Sequence, residues 1–181
     1  MTTNQTIKDL VNQKFDPISQ KIENLNNLLK YENVKPIIDE ISKKYDIKLN
    51  IVGGIKRKGY SEHDVDVETE IEISKDKALS IMFDIQKMTN SGVDVFVPSN
   101  NYLIKYGTTQ SIGGWTIHKI GKEHRKVVDK YATKIDDLKK KLKGTGKLGK
   151  ALEKLQMERF KAMESVNDIE EEMIEYYLPE E

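Results

Sequence analysis

Val52-Gly53-Gly54-Ile55-Lys56-Arg57-Lys58-Gly59-Tyr60-Ser61-Glu62-His63-Asp64-Val65-Asp66-Val67 joins the two most regular alternations of the chain. It opens at the end of an alternating run in which Ile47, Leu49 and Ile51 are apolar and their neighbours polar, the period-two pattern of a strand, and two glycines stop that run. It closes on a second alternation. Val65, Val67, Thr69, Ile71 and Ile73 interleave with Asp64, Asp66, Glu68, Glu70 and Glu72, which predicts a strand with one apolar and one acidic face.

Downstream, residues 75–88 suit a helix, and Val93-Asp94-Val95-Phe96-Val97 predicts a third strand closed by Pro98. Residues 102–106 and 115–120, on either side of a loop rich in glycine, predict a hairpin. Beyond Gly121 the apolar period becomes helical: Val127 or Val128, Tyr131, Ile135, Leu138 and Leu142 form one stripe. Leu148, Leu152, Leu155, Met163, Val166 and Met173 form the next, with Lys143-Gly144-Thr145-Gly146 as the turn of a long helical hairpin. Upstream, Pro36 marks the first turn of a short helix that carries Ile37, Ile38, Ile41 and Tyr45 and ends near Asp46. Before it, Val11, Phe15, Ile18, Ile22, Leu25 and Leu29 describe a further helix stripe, with a fresh start at Asp16-Pro17. The class read from this order is α+β: N-terminal helices over 1–46, a core over 47–120 and a C-terminal helical hairpin over 121–181.

At 181 residues the chain can bury one core with appended helices. Thirty Lys+Arg balance thirty Asp+Glu, so no global field points to a nucleic acid or an acidic partner. The absence of cysteine excludes thiolate metal sites and cysteine nucleophiles, and no apolar run has the length of a membrane span or a signal-peptide core. A soluble protein of the cytoplasm, without a membrane partner, is expected.

Chemistry concentrates in the acids. Phosphoryl transfer on two metal ions needs carboxylates from adjacent rigid strands, and D-x-D on a strand sends both side chains to one face. Asp94 passes the same test, because Val93, Val95 and Val97 take the opposite face of its strand. If the two strands are neighbours, Asp64, Asp66 and Asp94 converge; Glu68, Glu70 and Glu72 read instead as solvated strand acids. Gly53 and Gly54 lack a Cβ and would let backbone N–H groups approach a phosphate. Lys56, Arg57 and Lys58 lie between that turn and the acids, and of these Arg57 best suits bidentate phosphate contact. His63 reads as a rim residue of the turn. Residues 144–151 nearly spell a P-loop, but Ala151 replaces the hydroxyl and a helix precedes it, so an interhelical turn is expected. Trp115 reads as core, and His118 and His124 do not argue a metal site.

Gly53-Gly54, Asp64-Val65-Asp66 and the strand acid Asp94, in this order and spacing, resemble the DNA polymerase beta-like nucleotidyltransferase superfamily. The resemblance covers about residues 47–98. It implies a mixed β-sheet with helices packed on it, two divalent ions on Asp64, Asp66 and Asp94, and transfer of a nucleoside monophosphate from an NTP to an acceptor hydroxyl, with release of pyrophosphate. Mg²⁺ is the expected ion, with Mn²⁺ as its substitute, and ATP the first NTP to test. Asp94 would help deprotonate the acceptor, and Gly53 and Gly54 would cradle phosphate with Arg57, Lys58 and Ser61. Ile55 departs from the pattern, because many members have Ser directly after a single Gly. The acceptor, whether RNA, protein or small molecule, is not named by the residues. The alternative is a catalytically inactive protein of the same fold, whose long helices make a homo-oligomer or bind a partner.

Overall fold

The computed structural model of the protein describes residues 29–110, 113–166 and 173–177. The predicted helix stripe over residues 11–28 lies outside them. Leu29, its last member, is in a strand, β1 (Leu29–Lys30), so that stripe does not run as one helix to its end. Helix α1 (Tyr31–Tyr45) follows directly, β2 (Leu49–Val52) leads into the short helix α2 (Gly53–Lys58), and β3 (Tyr60–Ser61) precedes β4 (Asp64–Thr69). Then come α3 (Lys75–Thr89), β5 (Gly92–Ser99), β6 (Tyr102–Thr108) and β7 (Gly114–Gly121). Helices α4 (Lys122–Leu142) and α5 (Leu148–Glu164) and strand β8 (Met173–Tyr177) complete the order.

The class is α+β, and the sheet is mixed. Its order is β2-β4-β5-β6-β7-β8, with β4 and β5 parallel and every other pair antiparallel, while β1 and β3 form a separate two-stranded ribbon. The parallel pair needs a crossover, and α3 supplies it. Ser74 starts that helix by accepting from the Lys77 N–H at 3.2 Å, and Asn90 ends it in the left-handed conformation with its N–H on the Gln86 carbonyl.

The two faces of the sheet differ as their alternation requires. Val65, Val67, Val93, Val95 and Val97 are buried on one face, against Val34, Ile38 and Ile41 of α1 and Ala78, Ile81, Met82 and Ile85 of α3. Each large side chain buried there contributes about 1.5–3 kcal/mol of transfer free energy. Asp84 of α3 ties the two helices together at their edge, accepting from Lys44 Nζ at 2.8 Å and from the Tyr45 hydroxyl at 2.6 Å. The opposite face carries the acids and lies toward α4.

Several boundaries differ from those expected. Helix α1 begins five residues before Pro36, which therefore stands in its second turn; the first N–H of the helix, on Tyr31, donates to the Gly59 carbonyl. Strand β4 stops at Thr69 although alternation continues to Ile73, because β2 begins opposite Thr69 and nothing beyond it offers a ladder; Ile71 is exposed. Strand β5 continues through Pro98, which lies past Phe96, the last residue paired with β4, so its missing N–H breaks no bond to that neighbour. The expected second C-terminal stripe ends early: α5 stops at Glu164, and Met173 begins β8, which extends the sheet beside β7. The near P-loop of residues 144–151 is the turn after α4 and the first residues of α5. Among the described residues no helix is long and apolar enough to cross a membrane.

Candidate functional site

Parallel pairing of β4 with β5 sets Asp66 directly beside Asp94, and Asp64 beside Gly92. The three aspartates thus share the face opposite the valines. Asp66 and Asp94 touch through a hydrogen bond between their carboxyl groups, whereas Asp64 is one side-chain step, about 6.6 Å, further back along β4. Among the described residues no three His, Asp or Glu side chains stand as a ready-made metal-binding group.

Each aspartate rests over a glycine. A Cβ at Gly53 would collide with Asp66 Oδ2, one at Gly92 with Asp64 Oδ1, and one at Gly107 with Asp94 Oδ1. Gly107 is the residue of β6 paired with Asp94. Gly53 also has φ +68°, a backbone state that disfavours any side chain, and it turns the chain from β2 into α2 just beside Asp66. A Cβ at Gly54 would meet only ordinary contacts, Lys58 Cε at 3.7 Å and the Tyr60 carbonyl oxygen at 3.9 Å. The turn glycine expected to approach a phosphate is therefore also a seat for the nearest acid.

Burial pushes the Asp66 carboxyl up to about 7, helped by the charges of Asp94 and Asp64 and by the hydrogen bond that leaves the shared proton on Asp66. Asp94 is also raised, by burial above all; Lys105, the hydrogen bond from Asp66 and Asp64 act on it too, the first two downward. Lys105 is the counter-charge of the pair and was not evident from the sequence. Its strand β6 reads as an ordinary hairpin arm, and only the register Phe96 to Lys105 shows that it joins the acidic face.

The donor set is compatible with a hard divalent cation. It consists of carboxylate oxygens, and burial, together with the charges of Asp94 and Asp64 that Lys105 only partly offsets, lets Asp66 retain its proton near neutrality.

The remaining predicted residues are spread more widely. Arg57 lines a cleft that Asp66 and Gly53 also line, and its Nε donates to Asp136 of α4 at 2.8 Å. Lys58 points to the Tyr60 ring, 5.1 Å from its centroid, on the exposed side of α2. The Ser61 hydroxyl accepts from the N–H groups of His63 and Asp64 at 3.3 and 3.1 Å, so it shapes the turn that leads into Asp64. His63 is exposed in that turn. Trp115 is buried in the core, as expected.

The cleft has a volume of about 480 Å³ and lies between the acidic face of the sheet and α4. Phe96, Lys105 and His118 form its floor, and Arg125, Val128 and Ala132 of α4 its roof. Arg125 stacks over Phe96, 4.5 Å from the ring centroid, and faces Glu68 at 3.7 Å. Glu68, expected to be a solvated strand acid, is half-buried here beside Arg125. Burial and the neighbouring Lys105 hold the His118 imidazole below its ordinary value. None of Phe96, Lys105, His118 or Arg125 carries a motif; each becomes visible once strand register and the path of α4 are known.

Comparison of the chain with protein-family models, with curated proteins and with solved structures gives no match.

Proposed function

We propose that the chain is a metal-dependent nucleotidyltransferase, moving a nucleoside monophosphate from an NTP to an acceptor hydroxyl with release of pyrophosphate. The observation that carries the reading is the side-by-side pair Asp66 and Asp94 on parallel strands, with the Gly53 turn beneath Asp66. A mixed sheet with helices α1 and α3 packed on one face and its acids on the other supports the likeness to the polymerase beta-like fold.

Asp66 and Asp94 would hold Mg²⁺ or Mn²⁺, joined by Asp64. Such an ion would supply charge neutralisation at the phosphate and ease ionisation of an acceptor hydroxyl. The chain's own residues do the rest. Asp94, with its pKa raised by burial, is suited to take the proton of an acceptor held at its side of the pair. Gly53 and Gly54 let a phosphate approach the backbone, and Arg57 at the mouth of the cleft balances its charge. ATP is the first donor to test, and RNA, protein and small-molecule hydroxyls the acceptors.

Isothermal titration with Mg²⁺ and each NTP tests this. Binding by the native chain is expected, with at least a hundred-fold loss in Asp66→Asn and in Asp94→Asn. Absent binding, or equal binding and turnover in both variants, would sink the proposal.

A second reading has an observation of its own. Helix α5 has no buried residue among those described, and Met157 and Phe160 are 57% and 61% exposed. A protein of this fold without catalysis, using α4 and α5 to bind a partner or a second copy, accounts for that apolar surface. Light scattering that shows a stable oligomer, together with no labelled nucleotide transferred to any acceptor, would favour it over the first.

A further inference from the structure

Arg125 is a largely buried cation of the cleft whose surroundings are incomplete. It sits on the first turn of α4, and its guanidinium is pressed between that helix and the Phe96 ring. Its Nε donates to Asp129 at 3.0 Å. Nη2 stands 3.7 Å from Glu68, too far for a hydrogen bond, and Nη1 is buried with no hydrogen-bond partner among the described residues. A guanidinium carries five N–H donors and none of its charge can be shed by deprotonation, so a buried nitrogen of one with its donors unmet is missing an acceptor.

The floor beneath it supports the same conclusion. Lys105 is paired with Phe96 across the β5–β6 ladder, and His118 is paired with Lys105 across the β6–β7 ladder, so an aromatic ring, an ammonium group and an imidazole lie in a row under α4. The carboxylates around this row are Glu68 and Asp129 on Arg125, and Asp66 and Asp94 toward Lys105. His118 titrates below its ordinary value and adds no further negative charge. The volume of about 480 Å³ lies within the range of small-molecule sites, roughly 300–1,000 Å³.

We propose that this cleft binds a phosphate-bearing small molecule, with its phosphate oxygens taken by Arg125 from the roof and Lys105 from the floor. A tetrahedral oxyanion between the two supplies the acceptors that the guanidinium lacks, and its fork suits two of them at once. Such a ligand bridges α4 to the sheet, so binding also fixes the helix over the acidic face. The proposal needs no metal and stands whether or not nucleotidyl transfer occurs.

The test uses the full chain in buffer with EDTA, titrated with inorganic pyrophosphate and, separately, with citrate as an anion without phosphorus. One pyrophosphate per chain is expected, with a rise in Tm. Arg125→Gln and Lys105→Gln should each weaken it at least ten-fold, and Arg125→Lys several-fold, since the charge stays but the fork is lost. Lys161→Gln, an exposed change on α5, should bind as the native chain does. Asp66→Asn should bind pyrophosphate as tightly or more so, because it removes a negative charge from the same cleft. If Arg125→Gln fails to fold by circular dichroism, Arg125→Lys and Lys105→Gln decide the matter. No binding without metal, equal binding by the Arg125 and Lys105 variants, or citrate bound as tightly as pyrophosphate would each overturn the proposal. Arg125-dependent pyrophosphate binding in a chain that never transfers a nucleotide would uphold it and overturn the enzyme reading alone.

Discussion

Asp66 holds its proton to about pH 7 because it is buried beside Asp94 and near Asp64. The folded chain therefore binds that proton more tightly than the unfolded chain, whose carboxyl has the ordinary value of 3.8. Stability follows the difference in bound protons, so this group leaves the metal-free fold unpenalised below about pH 4 and increasingly destabilised as pH rises toward 7. Asp66→Asn removes the penalty. In urea unfolding with EDTA, the variant should exceed the native chain by on the order of 1–3 kcal/mol at pH 8, and match it near pH 4. A native chain that gains on the variant between those pH values would show that the carboxyl is not the strained group. The acids are legible in the sequence because their alternation with valine dictates their face. Lys105 is not, since nothing in Tyr102-Leu103-Ile104-Lys105-Tyr106 tells which neighbour the strand will pair with or in what register.

At the scale of elements, α3 does two things at once: it carries the crossover that makes β4 and β5 parallel, and it supplies Ala78, Ile81, Met82 and Ile85 to the core. Ile81 is fully buried, and Ile81→Ala should reduce stability by about 2–5 kcal/mol in denaturant unfolding, through lost transfer and the cavity left behind. A loss under about 1 kcal/mol would mean that α3 packs less tightly than its burial indicates. Central strands and α3 are readable from period alone, because two-residue and 3.6-residue patterns there are long and unbroken. Ends are harder. The alternation through Glu70-Ile71-Glu72-Ile73 has strand chemistry but no partner strand, and Pro36 is compatible with a first turn yet tolerated in the second. The strand at 173–177 is hidden by a methionine that also fits the helical stripe, because a five-residue strand added at a sheet edge has too short a pattern to compete.

Across the whole molecule, charged side chains tie α4 over the acidic face. Arg57 joins it to α2 through Asp136, and Arg125 joins it to the sheet through Phe96 and Glu68. An ion pair of this exposure contributes about 0–1 kcal/mol, so Arg57→Ala should barely move the Tm. It should nonetheless speed hydrogen exchange in α4 severalfold near Asp136, and the swap Arg57→Asp with Asp136→Arg should restore protection. Unchanged exchange in Arg57→Ala would show that the helix is held by its other contacts. No amount of sequence patterning gives this arrangement, since Arg57 and Asp136 are 79 positions apart and nothing in either stretch names the other as its partner.

The glycines under the aspartates bind the history of this site to its chemistry. Gly53, Gly92 and Gly107 have no side chain because an oxygen of Asp66, Asp64 or Asp94 occupies the place where one would begin. Selection on each acid is therefore also selection on a second, silent position in another element. In a lineage that had abandoned the acids, Gly92 and Gly107, whose backbones are ordinary strand, would be released to drift, while Gly53 would stay fixed by its left-handed turn. Descendant sequences in which these positions vary together would thus separate loss of chemistry from loss of fold.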